Sequence, residues 1–221
     1  MQHLRQLLPS INGLLKTYRL PGFILVLMLS FSSIKAQTID PVQSIRDLKE
    51  GILIVRFPAY KAKIDTLQAM IGRTTDKSSI PRLQKLLAEA IGERDSLSAD
   101  YTKAFRKTYK FSAVGYYFDN EGRDLRSAHF YTMDGKPMAS ESISLKPVFY
   151  LYFMRTQESH IDALIITNME GQEIPAPFPN NFTRGGINFL FMKLSEKKFP
   201  EWRVSKINKQ LVKYWSVNRE M

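Results

Sequence analysis

The side chains that could do acid-base or metal chemistry are few, and histidine is the scarcest of them. His129 lies in a predicted strand, whereas His160 lies in a predicted turn, 157–162, with a carboxylate on either side. A neighbouring carboxylate orients an imidazole and raises its basicity, so His160 is a candidate for proton transfer or ligand binding, or else a solvated turn residue. His3 belongs to a predicted export signal, so three imidazoles cannot meet in the processed chain. We expect no metal and no other cofactor.

The glycine motifs that present nucleophiles or bind phosphates are absent from the sequence. There is no Gly-x-Ser-x-Gly elbow for a catalytic serine, no Gly-x-x-x-x-Gly-Lys-Ser/Thr phosphate loop and no Gly-x-Gly-x-x-Gly fingerprint. The nearest glycine-rich segment is Arg184-Gly185-Gly186. Its backbone amides could hold an anion beside Arg184, or the segment could be a flexible turn before a predicted strand at 187–192.

Paired carboxylates are the remaining route to catalysis. A glycoside hydrolase places two acids on opposite sides of a cleft, about 5 to 10 Å apart. Six acids lie in or beside predicted turns, namely Asp119, Glu121, Asp124, Asp162, Glu170 and Glu173. Turns are also where solvated acids normally lie, and the sequence alone selects no pair among them.

The last predicted element, at 200–217, is an amphipathic basic helix. Its apolar stripe consists of Val204, Ile207, Leu211 and Tyr214, and a separate stripe consists of Lys206, Lys209 and Lys213. The lysine stripe can bind anionic lipid headgroups or an anionic polysaccharide, or it can be a solvated face balanced by distant acids. Aromatic residues that alternate along the predicted strands leave a similar choice between a stacking surface and ordinary core.

These residues must be positioned by helices and strands, and the first half of the chain is mainly helical. The apolar run 51–57 predicts a buried strand that ends before Pro58. Apolar residues at helical spacing then predict a long helical hairpin at 59–105. Gly72 lies where its first helix would end, and Pro81 fits the first turn of the second.

The second half is strand-rich, because beyond residue 110 the apolar period changes from 3.6 to 2. One strand pair is predicted at 111–119 and 124–133, and another at 148–155 and 161–167. The chain from 37 to 221 therefore predicts a single α/β domain with a strand-rich part at 111–192. We expect a mixed sheet of five or six strands, with the helical hairpin on one face and the C-terminal helix on the other.

The N-terminal segment 1–36 has the order of properties found in a cleavable export signal. Basic residues precede the apolar run 23–31, and no acid occurs before Asp40. That run is shorter than the roughly 20 residues of a spanning helix, although an uncleaved anchor is an alternative. Ile34 and Ala36 predict cleavage between Ala36 and Gln37. The processed chain keeps 28 of the 32 basic residues against 21 acids, and it has no cysteine for lipid attachment or disulfides.

Several blocks of the sequence resemble exported proteins of Bacteroidota that have no assigned function. These blocks are Ser33-Ile-Lys-Ala-Gln37, the strand 48–57 with the helix 59–71, the helix-to-strand joint 104–118, and 163–179 with its Pro-Phe-Pro turn. The resemblance covers most of the processed chain and implies compartment and lineage without a catalytic residue. The strand at 163–168, the residues up to 173 and the final helix also resemble the second half of a thioredoxin-like domain, but the absence of cysteine excludes its redox activity.

Two triplets look like the O-glycosylation acceptor pattern of exported Bacteroidota proteins. They are Asp65-Thr66-Leu67 and Asp95-Ser96-Leu97, which make Thr66 and Ser96 candidate modification sites. Both lie on predicted helices, where Leu67 and Leu97 already serve packing, and a chance match is expected in a chain of this length.

The sequence therefore favours an exported, non-catalytic binding or envelope-associated protein. The expected partner is an envelope component or an anionic glycan or lipid surface, and nucleic acid is not expected. The expected location is the periplasm or the cell surface, with no transmembrane segment after processing. The alternative is a periplasmic glycan hydrolase that uses a turn-borne carboxylate pair.

Overall fold

A six-stranded mixed sheet forms the centre of the protein. The computed structural model describes residues 39–119, 128–139, 143, 145–155, 161–183 and 199–219. The predicted export signal 1–36, the predicted strand 187–192, His160 and Arg184 lie outside these residues. The predictions made for them therefore stay predictions.

The strands are β1 (Ile52–Phe57), β2 (Ala113–Phe118), β3 (Tyr131–Thr132), β4 (Val148–Arg155), β5 (Asp162–Thr167) and β6 (Asn181–Thr183). Their order across the sheet is β3-β2-β1-β4-β5-β6. The central strand β1 pairs in parallel with both β2 and β4, and the outer pairs are antiparallel. The predicted α/β class and the mixed sheet of five or six strands are confirmed.

Four helices occur among the described residues: α1 (Pro41–Glu50), α2 (Lys61–Arg73), α3 (Ile80–Thr108) and α4 (Phe199–Asn218). Asp40 caps α1 by accepting a hydrogen bond from the Val42 amide at 2.8 Å, and Pro41 fits the first turn. Pro81 lies in the first turn of α3, as its position in the sequence predicts. The helices α2 and α3 enclose a small cluster of their own around Ile64, Leu67 and Ala90.

The main core lies between one face of the sheet and the helices α1, α3 and α4. The strands contribute Leu53, Val55 and Phe57 from β1, with further residues from β4 and β5. These pack against Phe105 of α3 and against Val204, Ile207 and Leu211 of α4. The helix α4 thus shares its face of the sheet with α3, and the prediction that the two helical elements lie on opposite faces is wrong.

Described residues of the connection between β2 and β4 cover the opposite face, which explains why α4 does not lie there. Ile52, Ile54 and Tyr150 form a second cluster there, against Phe130 and Met138 of the connection. The chain crosses from β1 to β2 in one direction along the sheet, and from β2 to β4 in the other. Parallel crossovers are right-handed almost without exception, so the two connections must lie on opposite faces. Described residues of this connection therefore cover the face on which the sequence predicts α4.

The aromatic residues of β1, β2, β4 and β6 belong to these two clusters rather than to an open stacking surface. Phe57 lies within 6.1 Å of Tyr116, Phe118 and Phe153 in the main core, measured between ring centroids. On the other face Tyr150 is only 4 % exposed. Burial, with a smaller contribution from the neighbouring Tyr152, raises the pKa of Tyr150 to about 12.

The close packing around Gly51, between α1 and β1, leads to a first prediction about stability. A Cβ at this position would overlap the Pro147 carbonyl oxygen and lie 2.6 Å from that of Asp47. We expect Gly51→Ala to lower the free energy of unfolding by about 1–3 kcal/mol, since both neighbours are backbone atoms. Chemical denaturation measures the change. Gly72→Ala is the matched control, because its Cβ would meet nothing within 4 Å; an equal loss in both variants would contradict the packing argument.

The raised pKa of Tyr150 leads to a prediction about how stability changes at alkaline pH. Its pKa is raised in the folded protein from 10.0 to about 12, so its contribution is fully present below pH 10 and lost as the pH rises towards 12. We expect Tyr150→Phe to lose less unfolding free energy than the wild type over this range. Denaturation curves across the range, with tyrosinate absorbance recorded in parallel, measure the difference. Parallel pH dependences of the two proteins would contradict the prediction.

Candidate functional site

The arrangement of the parallel strands places one edge of the sheet where ligands commonly bind. The strands β1, β2 and β4 end at Phe57, Phe118 and Arg155, and parallel strands present these carboxyl ends at the same edge. From β1 the chain continues to β2, which lies on one side of β1 in the sheet, whereas β4 lies on the other side. In α/β sheets such a switch in strand order opens a crevice outside the strand ends.

A cleft of about 590 Å³ lies at this edge, on the side of the main core. It is built from five parts of the chain. Tyr60 follows β1, α3 supplies Asp100 and Tyr101, β4 supplies Phe153 and Arg155, β5 supplies Asp162, and α4 supplies Phe199 and Arg203. A larger hollow of about 760 Å³ lies between α2 and α3, away from the sheet. The cleft is the candidate site because charged and aromatic side chains from separate elements meet there.

Arg203 is the buried charge of this cleft. The residue is 5 % exposed. Its Nη1 donates to the Tyr101 hydroxyl at 3.2 Å, and its Nη2 donates to the Phe182 carbonyl at 3.0 Å and, at a longer 3.4 Å, to that of Asp162. The guanidinium also lies 5.2 Å from the centre of the Phe199 ring. One side chain thus connects α4 with α3, β5 and β6.

The charge of Arg203 has no carboxylate partner among the described residues. None of the ion pairs between described residues includes it, and its buried Nε has no hydrogen-bond acceptor among those residues. Removing a cation from water is costly unless it is paired and fully hydrogen-bonded. Arg203 is not among the binding residues predicted from the sequence, although its place one residue before Val204 and four before Ile207 puts a charge at the border of the apolar stripe.

The mouth of the cleft carries exposed charges of both signs. Arg155 and Asp162 face each other across the β4–β5 pair, with Nε and Oδ1 3.4 Å apart. Asp100 is exposed on α3. Exposed ion pairs contribute little to stability because water screens them, so these groups are available to a ligand.

The predicted lysine stripe lies on the solvent-facing side of α4. Lys209 and Lys213 are exposed, whereas the Lys206 ammonium lies over the Trp202 ring, 5.5 Å from its centre. Burial lowers the pKa of Lys206, and the positive charge of Arg203 lowers it further. We call Trp202, Lys206, Lys209 and Lys213 the basic face. No ion pair among the described residues neutralises any of its three lysines.

Stacked rings connect the basic face with the cleft. The Phe199 ring stacks on Trp202 at a centroid distance of 6.3 Å and an interplanar angle of 17°. The same ring lies beneath the Arg203 guanidinium. Arg203, Phe199, Trp202 and Lys206 therefore form a continuous stack across the first two turns of α4. His160 and Arg184, which the sequence also proposes for binding, lie outside the described residues.

Of the predicted turn acids that the structure describes, all but Asp162 lie outside the cleft. Asp119 pairs with Arg56 at 3.5 Å and accepts a hydrogen bond from the Ala59 amide at 2.7 Å. It follows β2, and Asp162 begins β5, so three strand spacings, about 14 Å, separate their strands. Glu170 and Glu173 are exposed in the turn after β5, and Glu121 and Asp124 lie outside the described residues. Asp162 is the one predicted acid that the described structure places in the cleft, together with Asp100.

The described residues contain neither a metal-binding cluster nor a membrane-spanning helix. Within the described ranges, no three His, Asp or Glu side chains converge so that they could hold a metal ion. Nor does any described helix combine the length and apolar character needed to cross a bilayer. Thr66 and Ser96 are exposed on α2 and α3, and their glycosylation stays a prediction.

Comparisons with known proteins add no assignment to the cleft or to the basic face. No protein family matches the sequence, and searches of curated proteins and of solved structures found no significant match. The functional assignment therefore depends on the residues of the chain itself.

Proposed function

We propose that this is an exported, non-catalytic binding protein that lies against an anionic surface of the cell envelope through the basic face of α4. The observation that carries the proposal is the position of three lysines on the solvent-facing side of one helix, with no acid paired to them among the described residues. Phospholipid headgroups are the surface that we favour.

The chemistry of the basic face supports this choice of surface. Lysine side chains extend their ammonium groups towards phosphates while their methylene chains cover apolar area, as Lys206 does over Trp202. Tryptophan is amphipathic and is enriched where membranes meet water. A helix with both residue types on one face binds an anionic surface by charge and by shallow burial, without spanning it.

Export is the second component of the proposal and depends on segment 1–36. The basic residues, the apolar run 23–31 and the small residue before Gln37 support it. The absence of cysteine fits an exported protein that needs no disulfide. The resemblance to exported Bacteroidota proteins supports the same compartment.

A glycan hydrolase is the second candidate, because Asp100 and Asp162 line one cleft. Two acids across a cleft are what glycosidic hydrolysis needs. Asp162, however, already lies beside Arg155, and Asp100 is exposed on the neighbouring helix. Release of reducing sugar from envelope glycans that disappears in both Asp100→Asn and Asp162→Asn would favour this candidate over a binding protein.

Vesicle sedimentation tests the basic face. We expect the processed protein to bind phosphatidylglycerol vesicles at low ionic strength and to leave neutral phosphatidylcholine vesicles unbound. Replacing Lys206, Lys209 and Lys213 by Gln should weaken binding by about 100-fold, since each lysine near an anionic surface contributes about 1 kcal/mol. Added salt should weaken the wild type most strongly.

A second triple variant controls for net charge. Lys77, Lys136 and Lys146 are exposed and lie away from α4, and replacing them by Gln removes the same charge. Equal loss in both triple variants would show a non-specific charge effect and contradict the proposed face. Retention on an anionic polysaccharide such as alginate, without vesicle binding, would replace the lipid surface by a glycan.

Processing of the N-terminus tests export. We expect protein recovered from the envelope fraction of a producing bacterium to begin at Gln37, because Ala36 is the small residue that the peptidase needs before the cut. Mass spectrometry of the intact chain measures the start. A chain that keeps residues 1–36 in the cytoplasm would contradict export, and one that keeps them in the membrane would favour the uncleaved anchor.

A further inference from the structure

The cleft holds a buried positive charge whose neutralising group is missing from the described chain. A guanidinium has five N–H donors in a fixed plane and no acceptor. Arg203 donates three hydrogen bonds, to the Tyr101 hydroxyl and to the backbone carbonyls of Phe182 and Asp162. All three acceptors are uncharged oxygens. The Nε donor is left without an acceptor. The described residues thus leave both the charge and part of the hydrogen-bonding capacity of Arg203 unsatisfied.

Arg56 provides a comparison within the same protein. Its Nε also lacks an acceptor, but its Nη2 lies 3.5 Å from the Asp119 carboxylate, and its side chain is 40 % exposed. Within the described part of the chain, the more exposed arginine is therefore neutralised by a carboxylate, and the more deeply buried Arg203 is not. A purely structural arginine would be expected to show the opposite arrangement, since burial raises the cost of an unpaired charge.

The walls and mouth of the cleft limit what can neutralise Arg203. Tyr60, Phe153 and Phe199 give it apolar and aromatic walls, suited to an organic ligand rather than a bare ion. Asp100 and Asp162 place two carboxylates on the same cleft, which disfavours a second negative charge on the ligand. The same carboxylates accept hydrogen bonds from hydroxyl or ammonium groups.

We propose that the cleft binds a small organic monocarboxylate that also carries hydroxyl or ammonium groups, with its carboxylate against the Arg203 guanidinium. Planar carboxylates match the guanidinium fork in shape and charge. The hydroxyl or ammonium groups of the ligand face Asp100 and Asp162, and its carbon skeleton lies against Phe153 and Phe199. Two sources share this chemistry in a cell envelope, namely the carboxyl terminus of a short peptide and an acidic sugar.

Calorimetric titration of the processed protein tests the ligand class with paired probes. Tri-alanine is compared with its carboxyl-terminal amide, and glucuronate with glucose. We expect at least one acid to bind and its uncharged counterpart to bind about tenfold more weakly or worse, because each counterpart lacks the charge that pairs with Arg203. Which acid binds identifies the source. Equal binding within both pairs, binding of neither acid, or tighter binding of inorganic phosphate would overturn the proposal.

Variants then assign the binding to Arg203. Arg203→Lys keeps the positive charge but loses the planar fork, and we expect about tenfold weaker binding of the acid probe. Arg82→Lys is the matched control, because it makes the same chemical change at an exposed position in the first turn of α3, about 27 Å along that helix from Asp100. Unchanged affinity in Arg203→Lys, or an equal loss in Arg82→Lys, would contradict the assignment.

The wild-type protein supplies a second measurement, which does not depend on the folding of a variant. The Nε–H resonance of Arg203 is protected from solvent by burial, and a carboxylate on the guanidinium should shift it. We expect the shift with the acid probe and none with its uncharged counterpart. A resonance that stays in place while the acid binds would locate the ligand elsewhere and overturn the proposal.

Discussion

The parallel pairing of β1 on both of its sides is the constraint on which the rest of the structure depends. It forces the chain to cross the sheet twice, in opposite directions, and the right-handedness of crossovers then assigns the two connections to opposite faces. The crossover through α2 and α3 takes one face, where α3 packs on the sheet, and described residues of the segment before β4 take the other. The helix α4 is left with the groove beside α3, and the switch in strand order at β1 opens the cleft beside its first turn.

Local patterns in the sequence predict the elements of this fold well. The apolar run that forms β1, the break between α2 and α3, and the alternating residues of β4 and β5 each carry a signal within a few neighbouring residues. The placement of α4 has no such signal. Its face of the sheet is decided by the direction of a crossover, which is a property of strand order and cannot be read from the amphipathic stripe of the helix.

The two candidate sites differ in the same way. The lysines of the basic face are evident from their spacing alone, because exposure on a helix follows its period. Arg203 is evident only in the folded chain, since its partners Tyr101 and Phe182 lie 102 and 21 residues away in the sequence. Its neighbours in sequence suggest a boundary residue, and only the approach of α3 and β6 makes it a buried one.

The stack at the start of α4 has a consequence for how the two sites can be separated by mutation. Phe199 is at once a wall of the cleft and the ring that supports Trp202. Its removal would loosen the guanidinium on one side and the indole on the other, so a single substitution there would confound tests of the two proposed binding sites. Lys209 and Lys213, about three and four helical turns beyond Phe199, are outside this shared support. They are the positions at which the proposed surface attachment can be tested while the lining of the cleft stays intact.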